Sequence, residues 1–354
     1  MEDTDIAWNQ FIRNNGILKN PEIKPLKKFF PKFGPIYIST KTKIGFLNTP
    51  IDLNQIFWLI KVIPYHKSFE GVIKKQMKTV CCDINETKKL DEKIKKETEY
   101  VNVETIYNVN NPNARKIKYK DVRKINVGLC KKDLIAHRIR KKGAFYNCIV
   151  LIVRLKIQDK FKEFHLKIFN TGKLEIPGIQ HDEDLYMLLD KVVNIIQPNV
   201  KTKIQYKKEE IETVLINSNF SCGFFINRAV LYKILKFKYK LHTIFDSCSY
   251  PGIQCKFYYN ELHTTQDGVC RCPDKCNKKG NGMELNKCLE ISFMIFRTGS
   301  ALIVGHCTEA ILMVVYEFIK KILLNECDEI RISSEKPVKK NKTKKVRKKI
   351  ILIE

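Results

Sequence analysis

Acidic residues are scarce in this chain of 354 residues. Aspartate and glutamate number 38 against 65 lysines and arginines, which gives a formal net charge of +27. A solvated face explains any single lysine run, but an excess of this size favours a polyanionic partner, either nucleic acid or an anionic membrane surface. The densest basic run, residues 336–349, holds nine lysines or arginines and no acid. It predicts a disordered electrostatic arm.

Long apolar runs are also lacking. The longest, residues 301–324, is interrupted by His306, Glu309, Glu317 and Lys320, so no transmembrane span is expected. The opening segment shows no basic region followed by an apolar one, as a secretory signal would. Thirteen cysteines, an odd number with adjacent members, favour reduced thiols over a disulfide framework. These features predict a soluble, intracellular protein.

Catalytic motifs are absent from the sequence. It contains no GxGxxG, GxxxxGK[ST], HExxH or GxSxG pattern, and its seven histidines are scattered. His181 stands beside a predicted helix start, where a helix-end residue is a simpler interpretation than a general base. We therefore expect no enzyme and no catalytic residue. An enzyme without a recognisable motif is the minor alternative.

The sequence does contain a duplicated hairpin. "KIFNTGKLEIPG" (167–178) and "MIFRTGSALIVG" (294–305) each predict a strand, a Thr-Gly turn and a second strand. An amphipathic stretch follows each hairpin, at 181–197 and 308–324, and predicts a helix. Two copies of this unit indicate a pseudo-twofold α+β domain whose halves share one sheet.

Matching blocks precede the two hairpins. Each predicts a strand, a helix and another strand, and in each an aromatic residue, Phe69 or Tyr250, stands two residues before a glycine. We expect residues 79–147 to be a mostly solvated insertion, followed by an added strand at 147–157. The predicted organisation comprises an arm 1–33, a first repeat 34–199 with insertion 79–147, a second repeat 200–334 with a Cys-rich insertion 260–289, and a basic tail 335–354.

Several pieces, in order, resemble the TATA-box-binding protein family in its divergent form from large DNA viruses. They are the two hairpins, "IDLNQI" (51–56), "FEGVI" (69–73), "NSNFSC" (217–222) and "YPGIQCKF" (250–257), within a span of roughly 35–325. The resemblance implies a saddle, with a curved antiparallel sheet of about ten strands and helices on its convex face. The concave face would bind the minor groove of DNA.

The resemblance also implies function and partners. It points to a transcription initiation factor that binds and bends A·T-rich promoter DNA and recruits a B-type general initiation factor and RNA polymerase. No membrane partner is implied. The expected location is the host cytoplasm or nucleus, or the virion. An architectural protein that binds DNA without sequence preference is one alternative, and an interaction scaffold that has lost DNA binding is another.

Site residues follow from the resemblance position by position. Two aromatic wedges are implied for each repeat, Phe69 with Phe169 and Tyr250 with Phe296, because an apolar ring at a strand end can unstack base pairs and kink the duplex. The paired threonines of the family fall on Pro177 and Val304, so groove shape is expected to dominate readout. Further implied DNA contacts are Thr40, Asn217, Val72, Leu174, Ile176, Leu302 and Val304 in the groove, and Lys75, Lys173 and Lys256 on phosphates.

A cysteine cluster lies in the second insertion. Cys270, Cys272, Cys276 and Cys288 fall within about twenty residues, and four thiolates suit the tetrahedral preference of zinc. Such an ion would staple the insertion without catalysing a reaction, with His263 or Cys255 as a substitute ligand. Free thiols in a flexible loop are the alternative. No other cofactor is expected.

Overall fold

Twelve strands form one antiparallel sheet in the computed structural model, which describes residues 31–135 and 145–332. The chain divides into two units between Lys32 and Phe33, and the sheet with its helices belongs to the second unit. The strands are β1 Tyr37–Phe46, β2 Gly71–Cys81, β3 Val101–Asn110, β4 Tyr119–Gly128, β5 Cys148–Ile157, β6 Lys160–Phe169, β7 Lys173–Ile179, β8 Glu212–Ser221, β9 His242–Ile244, β10 Gly252–Tyr259, β11 Leu289–Phe296 and β12 Ser300–Gly305.

Helices cover one face of this sheet, and one short helix, α3 at Lys131–Ile135, lies on the other. They are α1 Leu53–Leu59, α2 Ile84–Lys95, α3 Lys131–Ile135, α4 Asp182–Ile196, α5 Arg228–Lys233, α6 Glu309–Asn325 and α7 Cys327–Ile330. The side of the sheet that packs against α1, α4 and α6 is called the helix face, and the other side is called the open face. A π-helical turn at Ile234–Lys238 continues α5. Among the described residues, no helix combines the length and the apolar character needed to cross a membrane.

Strand order shows the pseudo-twofold arrangement. The sheet runs β3-β4-β2-β5-β6-β7-β1-β8-β12-β11-β10-β9. Outward from the junction of β1 and β8, the first half is therefore β1-β7-β6-β5-β2 and the second half is β8-β12-β11-β10-β9. Strands β4 and β3 extend the first half only. The predicted α+β class, the shared sheet and an insertion in each half are confirmed.

Alternation along the strands separates the two faces. In β6, Leu166 and Ile168 are fully buried on the helix face, whereas Lys167 and Phe169 lie on the open face, as the two-residue period of a strand requires. The predicted stripe of α4 packs against the buried side chains of β6 and β7. Burial of these apolar surfaces is the main term that holds the helices to the sheet.

Helix starts follow the sequence signals. The Asp52 carboxylate accepts the Gln55 N–H at 3.1 Å and caps α1, and the Thr308 hydroxyl accepts the Ile311 N–H at 3.3 Å and caps α6. Three acids occupy the first turn of α4, where the helix dipole favours negative charge. The helices predicted at 181–197 and 308–324 are confirmed.

The first insertion is folded as well as largely solvated. Most described residues of 79–147 are exposed, as predicted, but the segment includes α2, β3, β4 and α3, and β4 buries Val122, Ile125 and Val127. The strand at 147–157 is not an addition. It is β5, which pairs with β6 as β10 pairs with β11. Lysine- and asparagine-rich composition concealed the alternation of β4. The N-terminal arm, apart from residues 31–33, and the tail 335–354 lie outside the described residues.

Candidate nucleic-acid interface

Two central strands bring polar groups to the middle of the open face. Thr40 on β1 lies opposite Asn217 on β8, and Asn217 lies opposite Val304 on β12. Leu302, the next open-face residue on β12, lies opposite Asn219. All of these side chains are partly exposed. The structure thus brings Thr40, Asn217, Leu302 and Val304 together on the open face, and their contact with DNA stays a prediction.

At the outer end of the second half, two aromatic rings stand side by side. The ring centroids of Tyr250 and Phe296 are 5.9 Å apart, with 58° between the ring planes. Gly252 faces Phe296 across the strand pair, and a Cβ there would approach both rings to 3.0 Å. The glycine therefore makes room for the pair. The predicted pairing of Tyr250 with Phe296 agrees with the structure.

The first half has a matching pair with a different member. Phe169 contacts Phe145, with ring centroids 6.4 Å apart and 54° between the planes. Phe145 and the adjacent Tyr146 are both more than half exposed. Sequence reasoning missed these two residues because it placed them in an insertion. The signal was present, since two aromatics directly precede the apolar strand "NCIVLIV".

Phe69 lies elsewhere, which corrects the predicted pairing of Phe69 with Phe169. Gly71 faces Arg154 on β5, and Arg154 faces Glu163 on β6. Glu163 is six residues from Phe169, or about 20 Å along the strand. The short motif before β2 resembles the one before β10. However, β2 takes the sheet position of β9, one strand further out.

Four more predicted DNA contacts are wrong. Val72, Lys75, Leu174 and Ile176 are at most 1% exposed and lie on the helix face. Adjacent side chains on a strand point to opposite faces, so an offset of one residue reverses the assignment. In β7 the open-face positions belong to Lys173, Glu175 and Pro177.

Lys75 shows what such burial requires of a charged group. Its Nζ donates to the Ile60 carbonyl at 2.9 Å and to the Glu97 carboxylate at 2.6 Å. Burial lowers the pKa of Lys75, although Glu97 opposes the change. A lysine held in this way is a structural ion-pair partner and does not reach a phosphate.

Lysines accompany the aromatic residues of the first half. The Nζ of Lys167 lies 5.3 Å from the Phe145 ring centroid, that of Lys173 lies 6.0 Å from Phe169, and that of Lys78 lies 3.6 Å from Tyr146. These distances fit cation–π contact. Over the described residues, no such cation stands above Tyr250 or Phe296.

Two lysines of the open face are paired with acids. Lys167 also binds Glu175 at 2.5 Å, and the predicted phosphate contact Lys256 binds Glu290 at 2.8 Å. The hydrogen bond to Glu290 raises the pKa of Lys256, so this lysine stays charged. Lys173 has its aromatic neighbour Phe169 and is partly exposed. Among the described residues, it is the one of the three predicted phosphate lysines that has no ion-pair partner.

A polypeptide cover lies over the outer part of the first half. Arg154, only 6% exposed on the open face, donates to the backbone carbonyls of Tyr65, Lys67 and Phe69. Lys74 binds Asp133 of α3 at 2.7 Å. We call residues 63–69 together with α3 the first cover. It shields β2 and β5 and leaves the Phe145–Phe169 end open.

The cysteine-rich loop, residues 260–288, forms the second cover. It buries Tyr258 on the open face to 8% exposure, with Gly268 accepting the Tyr258 N–H at 3.1 Å. Tyr258 takes the place of Arg154 in the sheet. Each lies six residues beyond the strand residue that faces the hairpin phenylalanine, which is Gly252 in β10 and Cys148 in β5.

Four thiols of this loop converge. The Sγ atoms of Cys270, Cys272, Cys276 and Cys288 all lie within 4.8 Å of one another and could hold a metal ion. The N–H groups of Lys278 and Cys288 donate to the Cys276 Sγ at 3.3 and 3.4 Å. Burial raises the pKa of Cys276, but these donors and the neighbouring thiols outweigh it and bring the pKa to about 7.

The two substitute ligands are less well placed. His263 Nε2 is 3.8 Å from the Cys272 Sγ, outside the group of four. Cys255 is buried on the helix face of β10, where burial raises its pKa to about 12. The cluster stands at the end of the β10–β11 pair opposite Tyr250 and Phe296, seven residues or about 23 Å away.

No model of a known protein family matches the sequence. A "TATA-box-binding protein-like" protein of Acanthamoeba polyphaga mimivirus is 23% identical over 217 residues, covering 57% of this chain and 54% of that protein. This chain is similar to a divergent viral TATA-box-binding protein-like protein. The resemblance predicted from the motifs is confirmed, and the match spans about half the length of the curated relative.

A solved structure is also similar over most of the chain. The Methanococcus jannaschii TBP superimposes with a TM-score of 0.38 and 13% sequence identity, covering 84% of this chain and 99% of that one.

Proposed function

We propose that this protein is a transcription initiation factor that binds A·T-rich duplex DNA in the minor groove and bends it. One observation carries the proposal. Two aromatic pairs with nearly equal geometry, Phe145–Phe169 and Tyr250–Phe296, stand at pseudo-equivalent sheet positions on a face that the repeat helices leave open. The similarity to a viral TATA-box-binding protein-like protein supports the same function.

The chemistry of the face suits a minor groove. A ring pushed between base pairs unstacks them at a cost of about a few kcal/mol per step, which the greater contact with bent DNA offsets. The centre offers Thr40 and Asn217 as hydrogen-bonding groups and Leu302 and Val304 as apolar contacts. Because the minor groove shows a degenerate code, groove width and deformability decide preference. The net charge of +27 adds salt-dependent affinity.

Recruitment of a B-type initiation factor and RNA polymerase completes the proposed role. The helix face is the surface left available for proteins once DNA covers the open face. The proposed location is the host cytoplasm or nucleus, or the virion. A nonspecific architectural role is the second candidate, favoured by Pro177 and Val304, whose side chains offer no hydrogen bond to a base.

The test is a bending assay on short duplexes labelled at both ends. The full chain should bring the ends of an A·T-rich duplex together, and should do so less on a G·C-rich duplex of equal length. Replacing Phe169 and Phe296 by Ala should reduce the bend and the affinity while circular dichroism stays unchanged. Equal bending of both duplexes would support the architectural role instead. Absence of DNA binding would leave an interaction scaffold.

We also propose that the four clustered cysteines hold one structural zinc ion. Four thiols within reach of one ion match the usual donor set of structural zinc sites. Hydrogen bonds to the ligand atoms also support such sites, and the Cys276 Sγ accepts two from backbone N–H groups. The site would fasten the second cover over Tyr258, far from the aromatic pair. Its role is structural because no position is left open for substrate.

Metal analysis tests the zinc proposal. Purified protein should contain about one equivalent of zinc, and the double substitution Cys272→Ser and Cys276→Ser should remove it and lower the melting temperature. Cys248→Ser is the matched control, because Cys248 is an exposed thiol outside the cluster. Metal-free protein prepared without chelators, with an unchanged melting temperature in the double variant, would show that the thiols are free.

A further inference from the structure

A polar cavity lies beside the aromatic pair of the first half. Its volume is about 270 Å³, slightly below the range of about 300–1,000 Å³ for drug-sized ligands. A single heterocycle of nucleobase size fits that space. The lining includes Asp52, Asn54, Met77, Tyr146, Asn147 and Asn170.

The lining carries the groups that recognise a base. Asn54, Asn147 and Asn170 each bring an amide with a donor and an acceptor, and none of the three side chains has a hydrogen-bond partner within residues 31–135 and 145–332. Tyr146 adds an exposed ring with the Lys78 Nζ 3.6 Å from its centroid. Amide edges pair with base edges, and aromatic rings stack on bases of any sequence.

At the other end of the sheet a side chain crosses the corresponding space. The Ile51 N–H donates to the Asn170 carbonyl, and Ile226 donates in the same way to Arg297, both at 2.9 Å. Because each bond joins the residue after a hairpin phenylalanine to the segment before a helix, the two bonds identify equivalent positions in the two halves. In the second half the Arg228 side chain spans from the start of α5 to the Pro251 carbonyl, where Asn147 borders the cavity in the first half. No described side chain bridges the start of α1 to the Asn147 carbonyl in this way, and the polar cavity lies there.

We propose that this cavity binds one nucleobase that leaves the duplex at the base step opened by Phe145 and Phe169. The proposal rests on the DNA-bending function proposed above and adds a substrate feature to it. Extruding a base costs least where the base is mispaired or unpaired. The protein should therefore prefer duplexes with a mispaired base at one end of its site, and that end should face the first half.

The test places 2-aminopurine, whose fluorescence rises when it leaves the base stack, at each step across a bent A·T-rich duplex in turn. Binding of the full chain should raise the fluorescence at both kinked steps, where the rings unstack the bases, and severalfold more at the end that faces the first half, where the base leaves the stack. A mismatch at that same step should tighten binding by roughly tenfold or more, since the pairing is already lost.

Two variants locate the extruded base. Asn54 is an exposed second residue of α1, and Asn54→Phe should fill the cavity and remove the additional fluorescence rise at the first-half end while the end-to-end bend remains. Ala229→Phe, at the same position of α5, is the matched control and should retain the rise. The double variant Asn54→Ala and Asn147→Ala removes two amides without added bulk and should reduce the rise, which guards against misfolding of the larger variant.

Two results would overturn the proposal. If the duplex bends but its two ends show equal fluorescence, or if Asn54→Phe gives the same excess at the first-half end as the unmodified chain, the cavity does not receive a base, and the DNA-bending function stands. If the duplex is neither bound nor bent, the proposed function itself fails together with this one.

Discussion

The two halves of the sheet solve the same structural problem with different chemistry. In each, the outer part of the open face is covered, at Arg154 in the first half and at Tyr258 in the second. The first cover is fastened by a guanidinium that donates to three backbone carbonyls. The second is a loop gathered by four thiols. The comparison teaches that the covers are independent additions to one repeated framework, and that both leave the aromatic ends free.

The largest effect should come from breaking the first cover. Arg154→Met leaves three backbone carbonyls without their charged donor in a site that is 6% exposed. Hydrogen bonds to charged groups contribute about 1.5–3 kcal/mol, and an unsatisfied buried acceptor adds a similar cost. We expect the free energy of unfolding in urea to fall by about 3 kcal/mol.

Arg228→Met is the matched control in the second half. Arg228 is only half-buried and bonds a single carbonyl, that of Pro251, so the loss should be below about 1 kcal/mol. Equal losses in the two variants would mean that Arg154 does not fasten the first cover. The comparison of covers would then need another basis.

The framework was predictable because it depends on local signals. Apolar periodicity, the Asp52 and Thr308 caps and the Thr-Gly turns each act over a few residues, and their duplication indicated the pseudo-twofold sheet. The pairing of strands distant in sequence was less accessible. The motifs before β2 and β10 are alike, and no local sequence feature indicates that β2 lies outside β5 in the sheet, at the position equivalent to β9.

The site was predictable only in the half where sequence order and sheet order agree. In the second half Tyr250 precedes β10, which pairs directly with β11, so the aromatic pair was correct. In the first half further elements intervene between β2 and β5, and Phe145 was hidden among them. The errors at Leu174 and Ile176 have a simpler origin, because each depends on a one-residue register choice. Val72 lies on β2 and shares the misplacement of that strand.

A second prediction separates the two aromatic ends. Phe145→Ala with Phe169→Ala should weaken DNA binding by roughly tenfold or more, since unstacking costs a few kcal/mol per step and loses its compensation. Tyr250→Ala with Phe296→Ala should weaken it less, because no lysine ammonium accompanies those rings among the described residues and the tyrosine hydroxyl makes a poorer apolar wedge. End-to-end energy transfer should report a shallower bend in both double variants.

Phe69→Ala is the control that sharpens this comparison. Phe69 is 63% exposed but stands about 20 Å from Phe169 along the strands, so its removal should leave the bend unchanged. A loss of bending in Phe69→Ala equal to that of the first pair would restore Phe69 as a wedge and contradict the assignment of Phe145.

The smallest expected effect concerns acid. Asp133 in the first cover is partly buried, which raises its pKa, but hydrogen bonds from Lys74 and Cys130 outweigh burial, so the pKa lies below the ordinary 3.8. The pKa of Glu326, beside α7, is depressed for the same reason. Burial raises this pKa, but hydrogen bonds from Lys238 and Tyr239 outweigh burial and bring it below 4.5. A carboxylate whose pKa is depressed on folding stabilises the protein above the unfolded value and loses this contribution as pH falls through the folded value.

We therefore expect stability in urea to fall between about pH 6 and about pH 3, and Asp133→Asn and Glu326→Gln each to remove part of that slope. Glu326 is only 5% exposed, whereas Asp133 is 32% exposed. Solvent screening should hold the Asp133 contribution within about 1 kcal/mol, and Glu326→Gln should have the larger effect.

A pH dependence of stability that is unchanged in Glu326→Gln would mean that the bonds from Lys238 and Tyr239 to Glu326 do not persist in solution. A larger change in Asp133→Asn would instead place the acid sensitivity in the first cover, where loss of Asp133 releases Lys74 and exposes the outer strands of the open face.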